Sequence, residues 1–258
     1  MAEETRAQCP MLEGDRYSAV RTICERVTHD FNNLMLPMIA YPPLLKSELR
    51  AGGGGGPIVD AIEQAAQSML HINRQLMAML PDSAGTLGSA DLADSARNAV
   101  RTLIGEGLPT GIEIAMESVQ RPIVVRGVSA RICRMVHILA KNGIEAVAAT
   151  RGGGRVTVEV DTVDVQLRRF DGVPEQSGPW ARVRVTDTGE GFDNNIGQRL
   201  FEPFYTTRRN AARRGAGLGL SIAYRIAADN GGWMTFRGSP KEGATFAFYG
   251  SVAGATSC

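Results

Sequence analysis

Asp187–Gly191, with the sequence Asp-Thr-Gly-Glu-Gly, is the segment that decides the fold of this chain. It follows the alternating apolar run Ala181–Val185, which predicts a strand that ends at the carboxylate of Asp187. A carboxylate at a strand end can accept a hydrogen bond from an exocyclic amine. Gly189 and Gly191 let the backbone bend and let a flat ring approach, because glycine has no Cβ. The segment therefore predicts a pocket for a planar ligand that carries an amine.

Two further motifs follow in the same part of the chain. Leu200–Arg208 has the sequence Leu-Phe-Glu-Pro-Phe-Tyr-Thr-Thr-Arg, and Gly215–Leu220 has the sequence Gly-Ala-Gly-Leu-Gly-Leu. The second of these is predicted to open a helix from Leu218 to about Asp229. A glycine-rich turn at a helix N-terminus offers N–H groups and the positive end of the helix dipole to phosphate. One such turn alone is weak evidence of a functional site, and three blocks in this order are much stronger evidence.

Together these blocks resemble the two glycine boxes and the phenylalanine box of sensor histidine kinases, which belong to the Bergerat-fold ATPases. The resemblance extends from about residue 16 to residue 252. It implies an α+β chain in which a helical hairpin, forming a dimeric four-helix bundle, precedes a two-layer α/β sandwich that binds ATP and Mg²⁺. It also implies a phosphoacceptor histidine and an asparagine box upstream of the glycine boxes.

The composition is that of a globular protein with no bulk affinity for nucleic acid. The chain has 258 residues, 43% of them hydrophobic, and a net charge of +1. No apolar run approaches the roughly 20 residues that a membrane span needs, and no signal peptide is evident. The four cysteines are widely spaced without a C-x-x-C pair, which favours reduced thiols in a cytoplasmic protein.

The predicted phosphoacceptor lies on the first amphipathic helix. Apolar residues recur at steps of three and four along residues 16–38. His29 lies about 200° around this helix from Val27 and is expected to face solvent, beside Asp30 and one turn before Asn33. A neutral imidazole is a good nucleophile toward a γ-phosphoryl group, and an adjacent carboxylate can take its other ring proton. An amide one turn away can position water for hydrolysis.

His29–Asn33, with the sequence His-Asp-Phe-Asn-Asn, is similar to the H-box of hybrid and nitrogen-regulation-type sensor kinases. The catalytic set implied is His29, Asp30 and Asn33. Taken alone, His29 would be interpreted as a solvated surface histidine. The downstream motifs favour its interpretation as the phosphoacceptor. Many H-boxes carry a proline five residues after the histidine, where this chain has Leu34.

A homodimer is predicted from the hairpin. The glycine run Gly52–Gly56 is predicted to form the flexible tip of the hairpin. The second helix carries an apolar stripe that includes Ile62, Ala65 and Met69. Two antiparallel helices cannot bury both stripes by themselves, whereas two copies in a four-helix bundle can.

The asparagine box is predicted on a helix from Ala130 to Ala149, with Ser129 as its N-cap. Asn142 lies at the margin of the buried stripe, and an amide oxygen there can coordinate Mg²⁺. The resemblance leads us to expect alanine at Gly143, a second asparagine at Ile138 and an acid or polar base at Arg134. These departures put the magnesium geometry and the catalytic rate in question more than nucleotide binding.

The resemblance implies a wider set of cofactor-binding residues. Arg208 stands where the family has a lysine or arginine, and Phe201 and Phe204 are expected to be half-buried hinges of a mobile lid. The family commonly has threonine directly after Gly243, where this chain has Ala244 and then Thr245. The complete expected set is Asn142, Asp187, Gly189, Gly191, Phe204, Thr207, Arg208, Gly215, Gly217, Leu218, Gly219 and Thr245, with Asn142 also the metal ligand.

Five segments are predicted along the chain. They are a disordered N-terminus (1–14), the dimerisation and phosphotransfer hairpin (15–82), a linker (83–90), the ATP-binding domain (91–252) and a tail (253–258).

The predicted function is a cytoplasmic histidine autokinase. It would transfer the ATP γ-phosphoryl group to His29 and then to an aspartate of a response-regulator receiver domain, with possible phosphatase activity. A phosphotransferase hub or phosphatase with a weakened ATP site is the alternative. A plain Bergerat ATPase is disfavoured, because it has no use for the His29–Asn33 helix. No nucleic-acid partner and no membrane insertion are expected.

Overall fold

The computed structural model describes residues 5–7, 38, 42, 59–60, 62, 64–66, 69, 88–118, 121–150, 152–165, 178–203, 205–206 and 217–253. The chain divides into two compact units, one of residues 1–9 with 83–258 and one of residues 10–82. Among the described residues, no helix has the length and apolar character that a membrane span requires.

The larger unit is an α/β sandwich. Its strands are β1 (Thr5–Arg6), β2 (Ser89–Asp91), β3 (Ile112–Ser118), β4 (Val124–Arg126), β5 (Gly154–Val165), β6 (Gly178–Asp187), β7 (Trp233–Ser239) and β8 (Gly243–Ser251). Its helices are α1 (Leu92–Glu106), α2 (Ser129–Ala148) and α3 (Gly219–Asp229), with 3₁₀ turns at Asn194–Ile196 and Gln198–Phe201.

Six of the described strands form one sheet in the order β1-β7-β8-β6-β5-β3, and β2 pairs with β4. The β3–β5 pair is parallel, and the other neighbours in the large sheet are antiparallel. In β5, Val156, Val158 and Val160 are buried and alternate with less buried residues, as expected for a sheet with helices on one face.

Helix α2 is the centre of the helical layer. Its buried residues recur at helical spacing and include Ile132, Val136, Leu139, Gly143 and Val147. It packs against β5 and β6 beneath it and against α1 and α3 on either side. This central position brings one face of α2 to the end of β6 and to the start of α3.

The N-termini of α1 and α2 differ in their caps, and the cap of α2 is not the one predicted. Asp91 caps α1 as its side chain accepts from the N–H of Ala93 at 2.9 Å. The expected N-cap of α2, Ser129, is wrong: the cap is Val128, which makes no side-chain cap bond. The N–H of Val128 instead donates to Oδ1 of Asn230 at 3.0 Å. The start of α2 is therefore anchored to Asn230, which is distant in the chain, and has no side-chain cap.

The N-terminus also differs from expectation. The prediction of disorder up to residue 14 is wrong for residues 5–7, which form and extend strand β1 beside β7. At the other boundary, residues 89 and 90 belong to β2 rather than to a linker.

The described residues of the smaller unit are helical. In the single chain, Val59 and Ala66 are buried, whereas Ala65 is exposed and Ile62 and Met69 are 42% and 39% exposed. The second helix therefore has one apolar face that is covered within the chain and another that is not.

Candidate nucleotide site

The carboxylate of Asp187 lies at the end of β6, as its place in the sequence predicted. It is only 4% exposed, and Oδ1 accepts a hydrogen bond from the N–H of Gly189 at 2.9 Å. Burial raises the pKa of this carboxyl above its ordinary value of 3.8, and backbone N–H donors at Gly189 and Ala244 oppose part of that rise. A buried carboxylate that retains acceptor capacity is suited to a ligand N–H.

The glycines after Asp187 are required by packing within the protein. A Cβ on Gly189 would lie 2.7 Å from Cβ of Ala146 on α2. Gly191 has φ +62°, and a Cβ there would lie 1.9 Å from the carbonyl oxygen of Ser239. The loop is thus held between α2 and the β7–β8 turn. This packing within the protein requires both glycines, and their contact with a ligand stays a prediction.

Gly143 has a similar explanation. A Cβ at this position would lie 3.2 Å from Cβ of Asp187 and 3.3 Å from the methyl groups of Val156. Alanine would therefore be crowded between α2 and the sheet. The glycine found in place of the family's alanine is a packing feature of this chain, so it is no evidence of a degenerate site.

The neighbouring residue on α2, Asn142, is half-buried and faces the start of α3. A Cβ on Gly219 would lie 3.5 Å from Nδ2 and 3.6 Å from Oδ1 of Asn142, and 3.3 Å from a methyl group of Ile138. The asparagine box and the second glycine box thus meet, although Asn142 and Gly219 are 77 positions apart in the chain. The glycine keeps open a cradle that a side chain would fill.

The N-terminus of α3 completes this cradle. Gly217 has φ +67°, a conformation that favours glycine, and the N-cap Leu218 makes no side-chain cap bond. Helix α3 has 11 residues, so its first turn carries the partial positive charge of a helix dipole. An amide on one side and a helix N-terminus on the other can bind an anion together with a hard cation.

The predicted metal ligand, Asn142, is compatible with a magnesium site in which the protein supplies few of the ligands. Among the described residues, no group of three or more His, Cys, Asp or Glu side chains could enclose a metal ion. Mg²⁺ is usually held by one or two protein oxygens and by substrate phosphates, so a single amide oxygen at Asn142 is compatible with it.

Two predicted residues are not where they were expected. Thr245 lies opposite Thr186, and their hydroxyl oxygens are 3.2 Å apart. Because side chains alternate along a strand, Ala244 is the residue beside Asp187, and Thr245 is on the opposite face of the sheet. Phe201 is fully buried, at 0% exposure, so the expected half-buried hinge is wrong at this position. It packs against Phe236 with ring centroids 5.5 Å apart.

Several predicted residues lie outside the described part of the chain, and their roles stay predictions. These are His29, Asp30, Asn33, Phe204, Thr207, Arg208 and Gly215.

Asn230 is a positioning residue that the sequence analysis missed. It is buried, its Oδ1 accepts from the N–H of Val128, and its Nδ2 donates to the carbonyl oxygen of Ile226 at 2.6 Å. It therefore ties the start of α2 to the end of α3, the two helices that carry Asn142 and Gly219. An asparagine before two glycines at a helix end is a C-cap signal, but nothing local indicates the second partner.

Comparisons with known proteins agree with this geometry. Residues 127–252 match the family described as histidine kinase-, DNA gyrase B-, and HSP90-like ATPase. The chain is 26% identical over 256 residues to Sensor kinase CckA of Brucella abortus, covering 96% of this chain and 26% of that protein. It is 24% identical over 250 residues to Sensor protein FixL of Bradyrhizobium diazoefficiens, covering 93% of this chain and 45% of that protein. The chain thus spans less than half the length of these relatives.

Solved structures share the fold. Full-length ShkA, crystallised in complex with AMPPNP, matches with a TM-score of 0.69 and 22% identity over 92% of this chain and 47% of that chain. The histidine kinase AdeS of Acinetobacter baumannii matches with a TM-score of 0.55 and 14% identity, covering 86% of this chain and 98% of that chain.

Proposed function

We propose, on the premise that this chain is a sensor histidine kinase catalytic core with an ATPase domain of the histidine kinase-, gyrase- and HSP90-like family, that it phosphorylates its own His29 from ATP. The observation that supports this most is one turn of α2. In it, Gly143 packs beside Cβ of the buried Asp187 while Asn142 faces the N-terminus of α3. Two neighbouring residues of α2 would thereby join the proposed adenine acceptor, Asp187, to the proposed phosphate-binding turn.

Nucleotide binding would divide between these two places. Asp187 would accept a hydrogen bond from the exocyclic amine of adenine. The turn at Gly217–Gly219 would bind phosphate oxygens, and Asn142 would hold Mg²⁺, which supplies charge neutralisation on the phosphates when it is bound. Phe204, Thr207, Arg208 and Gly215 would complete the phosphate contacts, as the family resemblance implies.

In the proposed transfer, a ring nitrogen of His29 attacks the γ-phosphorus of ATP. The new N–P bond forms as the bond between the γ-phosphorus and the β,γ-bridging oxygen breaks, and ADP leaves. Asp30 takes the proton from the other ring nitrogen. The phosphoryl group then passes to an aspartate of a response-regulator receiver domain, and Asn33 positions water for the reverse, hydrolytic step.

The proposed assembly is a homodimer that acts in the cytoplasm. The exposed apolar side chains Ile62 and Met69 are one helical heptad apart, with Ala65 between them on the same face. A second copy of the hairpin is the partner that this face would bury. Val59 and Ala66, which are already buried within the single chain, would lie on the face that packs inside each hairpin.

A phosphotransfer hub or phosphatase is the second candidate. Ile138 places a methyl group beside the cradle at Gly219, where the family resemblance leads us to expect a second asparagine. An apolar group there would weaken polar contacts to metal or phosphate. This favours slow phosphorylation by ATP with the phosphorelay chemistry of His29 retained.

Incubation with γ-labelled ATP tests the proposal. We expect acid-labile, base-stable label on the wild-type protein and none on the His29→Gln variant, while both bind ATP equally. Label that persists in His29→Gln would show that the acceptor is another residue. Failure of the wild-type protein to bind ATP at millimolar concentration would favour the hub.

A further inference from the structure

Strand β1 attaches the N-terminus of the chain to the outer edge of the ATP-binding unit. Arg6 lies opposite Thr235 in antiparallel register, and the N–H of Ala7 donates to the carbonyl oxygen of Met234 at 2.8 Å. Ala7 is 1% exposed. Without β1, strand β7 would present an unpaired edge, and such an edge accepts an added strand readily.

A second contact connects β1 to the segment that begins the phenylalanine box. Nε2 of Gln198 donates to the carbonyl oxygen of Arg6 at 2.7 Å. Gln198 opens the 3₁₀ turn that ends at the buried Phe201, and the ring of Phe201 packs on Phe236 of β7. Strand β1 is thus bound both to β7 and to the residues that lead into the phenylalanine box.

The path of the chain gives this contact a consequence. The chain leaves the ATP-binding unit after Cys9, forms the unit that contains His29, and returns at Ser83. While β1 is docked, the hairpin is joined to the ATP-binding unit at both of its ends. A domain held by one linker can reorient about it, whereas a second attachment removes part of that freedom.

We propose that β1 is a releasable clasp that restrains the ATP-binding unit and slows transfer from bound ATP to His29. This inference rests on the proposed autokinase function. The strand has two residues, and each net backbone hydrogen bond corresponds to about a fivefold change in an equilibrium. The clasp can therefore open while the sheet behind it stays folded.

Ala7→Pro opens the clasp, because proline has no N–H to donate to Met234. We expect the initial rate of His29 labelling to rise about fivefold, the factor for one hydrogen bond, with ATP affinity unchanged. Ala7→Gly keeps the donor and is the matched control, with a rate near that of the wild-type protein. An unchanged or lower rate in Ala7→Pro would overturn the clasp.

A reversible lock tests the opposite direction. Arg6→Cys combined with Thr235→Cys places two thiols on directly opposed positions of neighbouring antiparallel strands, a spacing that a disulfide can bridge. We expect oxidation to lower the rate of His29 labelling and reductant to restore it, with no such change in either single variant. A cross-link that runs as a covalent dimer would overturn a clasp formed within one chain.

Failure of the proposed function is distinguishable from failure of the clasp. If the wild-type protein binds ATP and leaves His29 unlabelled, the proposed autokinase function is wrong. Amide hydrogen exchange then tests separately whether β1 is docked. Slow exchange at residues 5–7 and 234–236 that becomes fast in Ala7→Pro supports docking of β1. Fast exchange there in the wild-type protein overturns it.

Discussion

The proposed nucleotide site has an adenine side and a phosphate side that are built differently. The adenine side (Gly143, Asp187, Gly189 and Gly191) is closed by protein packing, since a Cβ on Gly189 or Gly191 would overlap α2 or the β7–β8 turn. On the phosphate side (Asn142 and Gly217–Gly219), the described atoms nearest to a Cβ built on Gly219 belong to the apolar Ile138 and to the amide of Asn142.

This difference between the two sides predicts that one side controls nucleotide binding and the other controls phosphoryl transfer. On the adenine side the shape of the pocket is a consequence of how the protein packs, so changes there should alter stability or affinity. On the phosphate side, Asn142 is only half-buried, so changes at this residue should alter the rate of transfer. This division would be contradicted by a substitution on the adenine side that changes only the transfer rate, or by one on the phosphate side that changes only stability or affinity.

Gly191→Ala should have the largest effect. Its φ of +62° disfavours any side chain, and the added methyl group would meet the carbonyl oxygen of Ser239 at 1.9 Å. We expect the free energy of unfolding to fall by about 3 kcal/mol or more, with loss of ATP binding. Gly152→Ala, with nothing within 4 Å of the new methyl group, is the matched control and should change stability by less than about 0.5 kcal/mol. Denaturant unfolding measures both.

Asn142→Ala should leave the fold intact and slow transfer. Loss of the amide beside Gly219 should lower the saturating rate of His29 labelling by about 10- to 100-fold, with a smaller change in ATP affinity. Lys141→Ala changes the preceding, exposed residue of the same helix and should have the wild-type rate. Comparable losses of rate and affinity would mean that Asn142 supports the whole pocket.

Asp187→Asn should act on affinity. A charge-assisted acceptor is replaced by a neutral amide, so we expect ATP to bind about 10- to 100-fold more weakly while the rate at saturation changes little. Isothermal titration with ATP and with GTP measures the effect and its base selectivity. An unchanged affinity would remove Asp187 from the adenine contact.

The pH dependence of the same residue has a defined sign. Burial raises the pKa of Asp187 in the folded protein, so ATP affinity should fall as pH falls through that pKa, where an ordinary aspartate is still ionised. The stability of the ligand-free protein should change in the opposite direction, rising as pH falls through the same window, because the folded state binds the proton more tightly. Asp187→Asn should abolish both dependences.

Ile138→Asn should have the smallest effect and the opposite direction. An amide in place of the methyl group beside Gly219 adds a polar contact to the phosphate side. We expect the labelling rate to increase by up to about tenfold with ATP affinity nearly unchanged. Ile138→Val, which remains apolar, is the control. An equal gain in both variants would trace the effect to side-chain size.

The local pattern of the sequence determined the main elements of the described sandwich. The alternation along β6 and the helical spacing along α2 predicted these elements to within a few residues, because burial on one face imposes its period on neighbouring residues. The same reasoning placed Asp187 at a strand end and Asn142 at the margin of a buried stripe. Each of these positions depends on residues close to it in the chain.

Only the tertiary structure decided what distant segments do to one another. Strand β1 is two residues long and has no pattern of its own, and its pairing depends on an edge more than 200 residues away. Asn230 anchors the start of α2 through the N–H of Val128, and the register of β8 turns Thr245 away from Asp187. The glycines at 189 and 191 are explained by backbone that lies elsewhere in the chain. Pairing, register and close packing depend on which segments meet in space, and a local pattern carries no information about that.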